Sequence, residues 1–121
     1  MTQMRILLAD HQPKVRFALR VLLERQAGFE IAGEIDDAKE LVAKAAAACP
    51  DVVLLGWELP GLDIANSLSA LRKVCPNLRV IALSGLPEAR QAALAAGADV
   101  FVSKSDPPEC LLAAIDDCDC R

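Results

Sequence analysis

No stretch of this sequence stays apolar for the roughly 20 residues that a bilayer crossing needs. The opening MTQMRILLAD has neither the length nor the cleavage pattern of a signal peptide. The expected location is the cytoplasm, with no membrane partner. Basic tracts are also absent: the formal charge is −4 and acidic and basic residues are interspersed, so the segment is not expected to hold DNA or an anionic surface by itself. The five cysteines, Cys49, Cys75, Cys110, Cys118 and Cys120, are an odd number without a CxxC pair, which favours free thiols over a disulfide framework in a reducing compartment. Only the tail CLLAAIDDCDCR clusters them, and it lacks further ligands at metal-binding spacing. Linkers, low-complexity tracts and long repeats are missing too. What is present is 121 residues, 54% hydrophobic and 25% charged, the profile of one domain spanning 1–121 around a single core.

Short β-branched or leucine-rich runs alternate with longer segments of helical period, the mark of an α/β domain on a parallel sheet. MRILLAD predicts a first strand. PKVRFALRVLLERQAG predicts a helix with Val15, Leu19, Leu22 and Leu23 on one face and Gly28 at its end. FEIAGEI predicts the second strand, and DDAKELVAKAAAAC an amphipathic helix begun by an Asp cap and stopped before Pro50. DVVLL is apolar throughout, as a strand covered on both faces must be. IANSLSALRKVC, LRVIALSG, PEARQAALAAGA, DVFVSK and PPECLLAAIDDC complete five βα units, with Gly97 ending the fourth helix.

In open sheets of this kind ligands gather beyond the carboxyl ends of the strands. The residues expected there are Asp10 and His11 after the first strand, then Gly56, Trp57 and Glu58 after the third. Ser84 and Gly85 follow the fourth strand and Lys104 the fifth. Acid, hydroxyl and ammonium would converge on one end of the sheet.

In this order and spacing the residues resemble the receiver domain of two-component response regulators. The likeness covers essentially all 121 residues. It is strongest to receivers that precede LuxR-type helix-turn-helix output domains, through RILLADHQPKVR and GADVFVSKSDPPECLLAAI. The resemblance implies a flavodoxin-like fold: a five-stranded parallel sheet of order 2-1-3-4-5 with helices on both faces. It also implies a non-enzymatic signalling module. Four positions before Pro60, Gly56 matches the place of the aspartate that accepts a phosphoryl group, and the carbonyl of Glu58 matches a backbone Mg²⁺ ligand. Asp10 and His11 stand where the family has an acidic pair, which leaves Asp10 as the metal-binding carboxylate. Ser84 matches the hydroxyl that reads the phosphoryl oxygen, Phe101 the switch aromatic, and Lys104 the lysine that pairs with the pocket.

Two departures alter that chemistry. Three carboxylates against one lysine sum to about −2, a field that draws a hard dication, whereas Asp10 and Lys104 nearly cancel. His11 offers a nitrogen, a poor replacement for carboxylate at Mg²⁺. No cofactor is expected, and Mg²⁺ binds at most weakly. Glycine supplies no nucleophile for an in-line transfer. The remaining expectations are structural: an Asp10–Lys104 ion pair, Ser84 capping the next turn, Phe101 in the core, His11 hydrogen-bonded to Asp10, and a solvent-facing Glu58. Trp57 is left either across the vacant site or facing solvent.

The functional expectation is a pseudo-receiver that acts through a protein partner or a homodimer. Its first helix and the exposed remainder of Leu111, Leu112 and Ile115 would offer the surface, and DNA would be reached only through an output domain beyond Arg121. A metal- or ligand-binding sensor using Asp10, His11 and Glu58 is the alternative, with a redox switch in the cysteine tail as a third. Gly56 also fits an ordinary receiver silenced by substitution, although the second departure at His11 favours a natural origin.

Overall fold

The computed structural model describes residues 3–119, without the side chains of residues 64, 65 and 117–119. Ten principal elements alternate: β1 Met4–Ala9, α1 Pro13–Glu24, β2 Phe29–Ile35, α2 Leu41–Ala48, β3 Val52–Gly56, α3 Ile64–Val74, β4 Arg79–Ser84, α4 Ala89–Ala96, β5 Val100–Ser103 and α5 Pro108–Asp119. The strands form one parallel sheet of order β2-β1-β3-β4-β5, as the resemblance implies. Among the described residues no helix is long and apolar enough to cross a membrane.

Successive strand residues point to opposite faces, and the two cores divide on that parity. Leu7, Ala9, Val53, Leu55, Val80, Ala82 and Phe101 pack with Leu41, Ala45, Leu68, Leu71 and Ala93 on the side of α2, α3 and α4. Ile6, Leu8, Val52, Leu54, Ile81, Leu83 and Val102 pack with Leu23, Leu111 and Ile115 on the side of α1 and α5. The central strand β3 is buried along its whole length, which explains a sequence without alternation.

Local chemistry sets the helix ends. Before α2, the Asp37 carboxylate accepts from the Lys39 N–H, but the turn it starts is a 3-10 turn over Ala38–Glu40, so the α-helix begins later than its sequence pattern. Asp63 caps α3 by accepting from the Asn66 backbone and side-chain amides. Gly97 closes α4 at φ +114, its N–H reaching Ala93 and Leu94. The first helix ends at Glu24 rather than at Gly28; that glycine, at φ +91, makes the turn into β2. At the opposite end of the sheet from the strand C-termini, Asp99 accepts from the Val80 N–H at 2.8 Å and from Arg72 at 3.1 Å. This ties α3, β4 and the loop before β5 together.

Cys49, Cys75 and Cys110 are free thiols, while Cys118 and Cys120 lie outside the described side chains. Burial, with Cys49 nearby, pushes the Cys75 thiol above its ordinary range, and its Sγ is turned to the Ala45 carbonyl at 3.4 Å. A raised pKa means less thiolate at any given pH. In the folded protein near pH 8, Cys75 should therefore react with a disulfide reagent at least about tenfold more slowly than exposed Cys49 and Cys110. Peptide mapping of the labelled protein gives the three rates, and denaturant should equalise them.

Candidate functional site

Parallel pairing aligns the strand ends. The register Ala9↔Leu55 puts Asp10 beside Gly56, and Ser84↔Ser103 puts Lys104 one step beyond Ser84. Backbone bonds then fix the loops: Asp10 N–H donates to Ile35 at 3.2 Å, Trp57 N–H to Leu83 at 2.8 Å and Lys104 N–H to Ser84 at 2.9 Å. The sheet thus brings Asp10, Gly56, Ser84 and Lys104 to one edge, with His11 and Glu58 on the adjoining loops.

Asp10 is the centre of this edge. It is fully buried, and each of its oxygens is engaged. Oδ1 accepts from the Gln12 N–H at 2.9 Å, and the backbone carbonyl accepts from Arg16 at 2.6 Å. Oδ2 lies 2.8 Å from Lys104 Nζ, yet it makes no hydrogen bond of good geometry. The contact is an ion pair, held by charge and distance more than by direction. Lys104 Nζ donates instead to Gln12 Oε1 at 3.1 Å. Carboxylate and ammonium therefore neutralise each other, as the sequence predicts, in a place where an unpaired carboxylate would be costly.

Gly56 makes this arrangement possible. A Cβ at residue 56 would stand 2.6 Å from Asp10 Oδ2, 3.1 Å from Asp10 Cγ and 3.2 Å from the Ala9 carbonyl. The first distance is well inside van der Waals contact. The space that a side chain on β3 would enter is thus taken by the carboxylate from β1.

Two residues stand differently from expectation, and a third makes a bond that the sequence does not predict. Glu58 is exposed, as expected, and its Oε2 accepts from the Ser84 hydroxyl at 2.7 Å. A buried hydroxyl needs an acceptor for its proton, and Glu58 is within reach across the strand ends. His11 is not hydrogen-bonded to Asp10; its Nδ1 is 3.9 Å from Oδ1, which accepts from the Gln12 amide, and its side chain is substantially exposed. Trp57 neither spans the site nor faces open solvent. It is partly buried and packs against the core on the α2–α4 side.

Two expectations hold as stated. Ser84 caps the next turn by accepting the Leu86 N–H at 3.0 Å, and Phe101 is 8% exposed within the core. Residues that sequence reasoning missed are Gln12 and Arg16, which lock both ends of Asp10; Arg16 also lies 3.5 Å from Glu34. Their only sequence signal is proximity to Asp10.

A divalent cation does not fit this donor set. Hard cations need several oxygen ligands, whereas the one pocket carboxylate carries an ammonium and Glu58 is held by Ser84. Among the described residues no three His, Cys, Asp or Glu side chains are grouped to hold a metal.

A doubly wound sheet carrying acid, hydroxyl and lysine at its strand C-termini is the architecture of a signal receiver. Residues 6–116 match the response regulator receiver domain, and the chain belongs to that family. It is 31% identical over 116 residues to the nitrate/nitrite response regulator protein NarP of Escherichia coli, covering 94% of this chain and 54% of that protein. The chain spans about half the length of the curated relatives it matches. A LuxR-family two-component response regulator from Aurantimonas sp. SI85-9A1 superposes with a TM-score of 0.86 at 30% identity, over 96% of this chain and 84% of that one. A LuxR-family DNA-binding response regulator from Staphylococcus aureus gives 0.83 at 26%, over 95% and 98%. The chain is a receiver domain of the kind found in transcription-regulating response regulators.

The close approach of Asp10 to Gly56 generates a stability prediction. Gly56→Ala should destabilise the domain by about 1–3 kcal/mol in urea unfolding, because the added methyl displaces the carboxylate from Lys104. In the Asp10→Ala background the same change should cost much less, a coupling that a double-mutant cycle measures. Lys104→Met should cost about 3 kcal/mol, since it strands a buried carboxylate.

Proposed function

We propose that this domain is a pseudo-receiver: it transmits through protein–protein contacts without forming an aspartyl phosphate. The single observation that carries the reading is the filled space at Gly56. The family's acceptor oxygen would have to stand on a side chain at this position, and there the Asp10 carboxylate lies 2.6 Å from where a Cβ would be. Phosphoryl transfer requires an oxygen in line with phosphorus and cations to neutralise developing charge. Glycine provides no such oxygen, and Asp10 is committed to Lys104. Without surplus negative charge the pocket has little to attract Mg²⁺.

The functional residues then keep structural roles. Asp10 and Lys104 hold β1 to β5, Ser84 and Glu58 hold the ends of β4 and β3, and Phe101 fills the core. His11 at the pocket mouth is left free to meet solvent or a partner. Contact surfaces remain available. Phe17 on α1 is 66% exposed, and a cleft of about 360 Å³ between α1 and α5 is lined by Val15, Leu19, Leu22 and Leu111. Apolar surface of this kind suits a protein partner or a second copy. Control of DNA would run through an output domain outside these residues, as the LuxR-family likenesses suggest.

The test uses acetyl phosphate and Mg²⁺ with intact-mass detection. The unmodified domain should gain no acid-labile phosphoryl group, and beryllofluoride should leave its amide spectrum unchanged. A stoichiometric acyl phosphate on the unmodified protein sinks the reading. Gly56→Asp alone should also stay inert, because His11 offers a nitrogen where the family has a second metal-binding carboxylate.

A further inference from the structure

The contact between Glu58 and Ser84 lies outside the ion pair that closes the pocket, and it links two loops that no other side-chain hydrogen bond among the described residues joins. Ser84 is fully buried, and its carbonyl and hydroxyl are both used at this junction. Its carbonyl accepts from the Lys104 N–H at 2.9 Å. Its hydroxyl oxygen accepts from the Leu86 N–H at 3.0 Å. Its hydroxyl proton goes to Glu58 Oε2 at 2.7 Å. The last of these is a charge-assisted bond, of the stronger class, and it orients the hydroxyl so that its lone pair faces the Leu86 amide.

That orientation controls the entry to α4. Beyond Leu86 the chain turns through Ala89 N–H to the Leu86 carbonyl at 3.0 Å and Arg90 N–H to the Pro87 carbonyl at 3.3 Å, so the start of α4 is built on Leu86. Arg90 and Leu94, four apart, share one face of α4, and Leu86 lies in the loop just before the helix. Leu86 is 50% and Leu94 41% exposed, and the Arg90 guanidinium sits 5.9 Å from the centre of the Phe101 ring. Exposed leucines before and on α4, with the Arg90 cation between them in sequence, are thereby held at the entry to the helix.

We propose that the Glu58 carboxylate is a built-in latch: by holding the Ser84 hydroxyl, it fixes the β4–α4 loop and presents Leu86 and the Arg90–Leu94 face of α4 continuously, with no signal required. This deepens the proposed function, on which it rests, by naming what sets the domain's conformation in place of a covalent input. A regulator of such a domain acts by competing for Glu58 or Ser84.

Native-state amide exchange followed by NMR tests the latch, because Glu58 is exposed and its variants are expected to fold. Glu58→Ala should speed exchange at Leu86, Ala89 and Arg90 by about tenfold while leaving the amides of β1 and β2 unchanged. Glu58→Gln, which keeps an acceptor oxygen at the same reach, should retain most of the protection. Adding Glu58→Ala to Ser84→Ala should produce no further increase, since the bond is already lost. Unchanged protection at Leu86, Ala89 and Arg90 in Glu58→Ala overturns the latch, and so does an equal increase throughout the sheet. The acetyl phosphate experiment fails independently: a phosphoryl group on the unmodified protein removes the pseudo-receiver reading while this exchange pattern still reports on the bond.

Discussion

The C-terminal edge of this sheet depends on one constraint: a buried carboxylate must be neutralised without leaving the core. Asp10 meets it through Lys104 at 2.8 Å and through the Gln12 N–H, while Arg16 holds its backbone carbonyl. A charge buried this deeply is tolerable only when paired and hydrogen-bonded, so the elements that bring these donors are bound to one another by it. Lys104 anchors the loop after β5, Gln12 and Arg16 the start of α1, and Gly56 leaves the gap in β3 that the carboxylate enters. Ion pair and missing side chain are one arrangement described from two sides.

The rest of the fold serves that arrangement by ordinary means. Alternating strand residues fill two separate cores, and the parallel register places the four strand ends at the same height. At that edge the carbonyl and hydroxyl of Ser84 and one carboxylate oxygen of Asp10 are hydrogen-bonded, while the other Asp10 oxygen is held by the charge of Lys104 alone.

Much of this was legible in the sequence, for reasons that differ by residue. The ten elements follow from hydrophobic period and from Gly97, Pro50 and Asp37 acting as local signals, each of which works within a few residues. The Asp10–Lys104 pair was legible because opposite charges gathered at one end of a sheet have one economical solution. Glu58 was not, because the direction of a long side chain on a turn is decided by whichever buried donor lies nearest, and Ser84 is distant in sequence. The same holds for Trp57, which packs against the core on the α2–α4 side, and for His11, whose ring stays 3.9 Å from the carboxylate. Gly56 was readable as a vacancy but not as a filled one. That requires knowing where a neighbour's oxygen comes to rest.

That occupied space couples residue 56 to a contact two strands away. A side chain added at the end of β3 meets the Asp10 carboxylate at 2.6 Å, and that carboxylate is held by Lys104 beyond β5. A substitution at this one position is therefore also a perturbation of the seam between the first strand and the last.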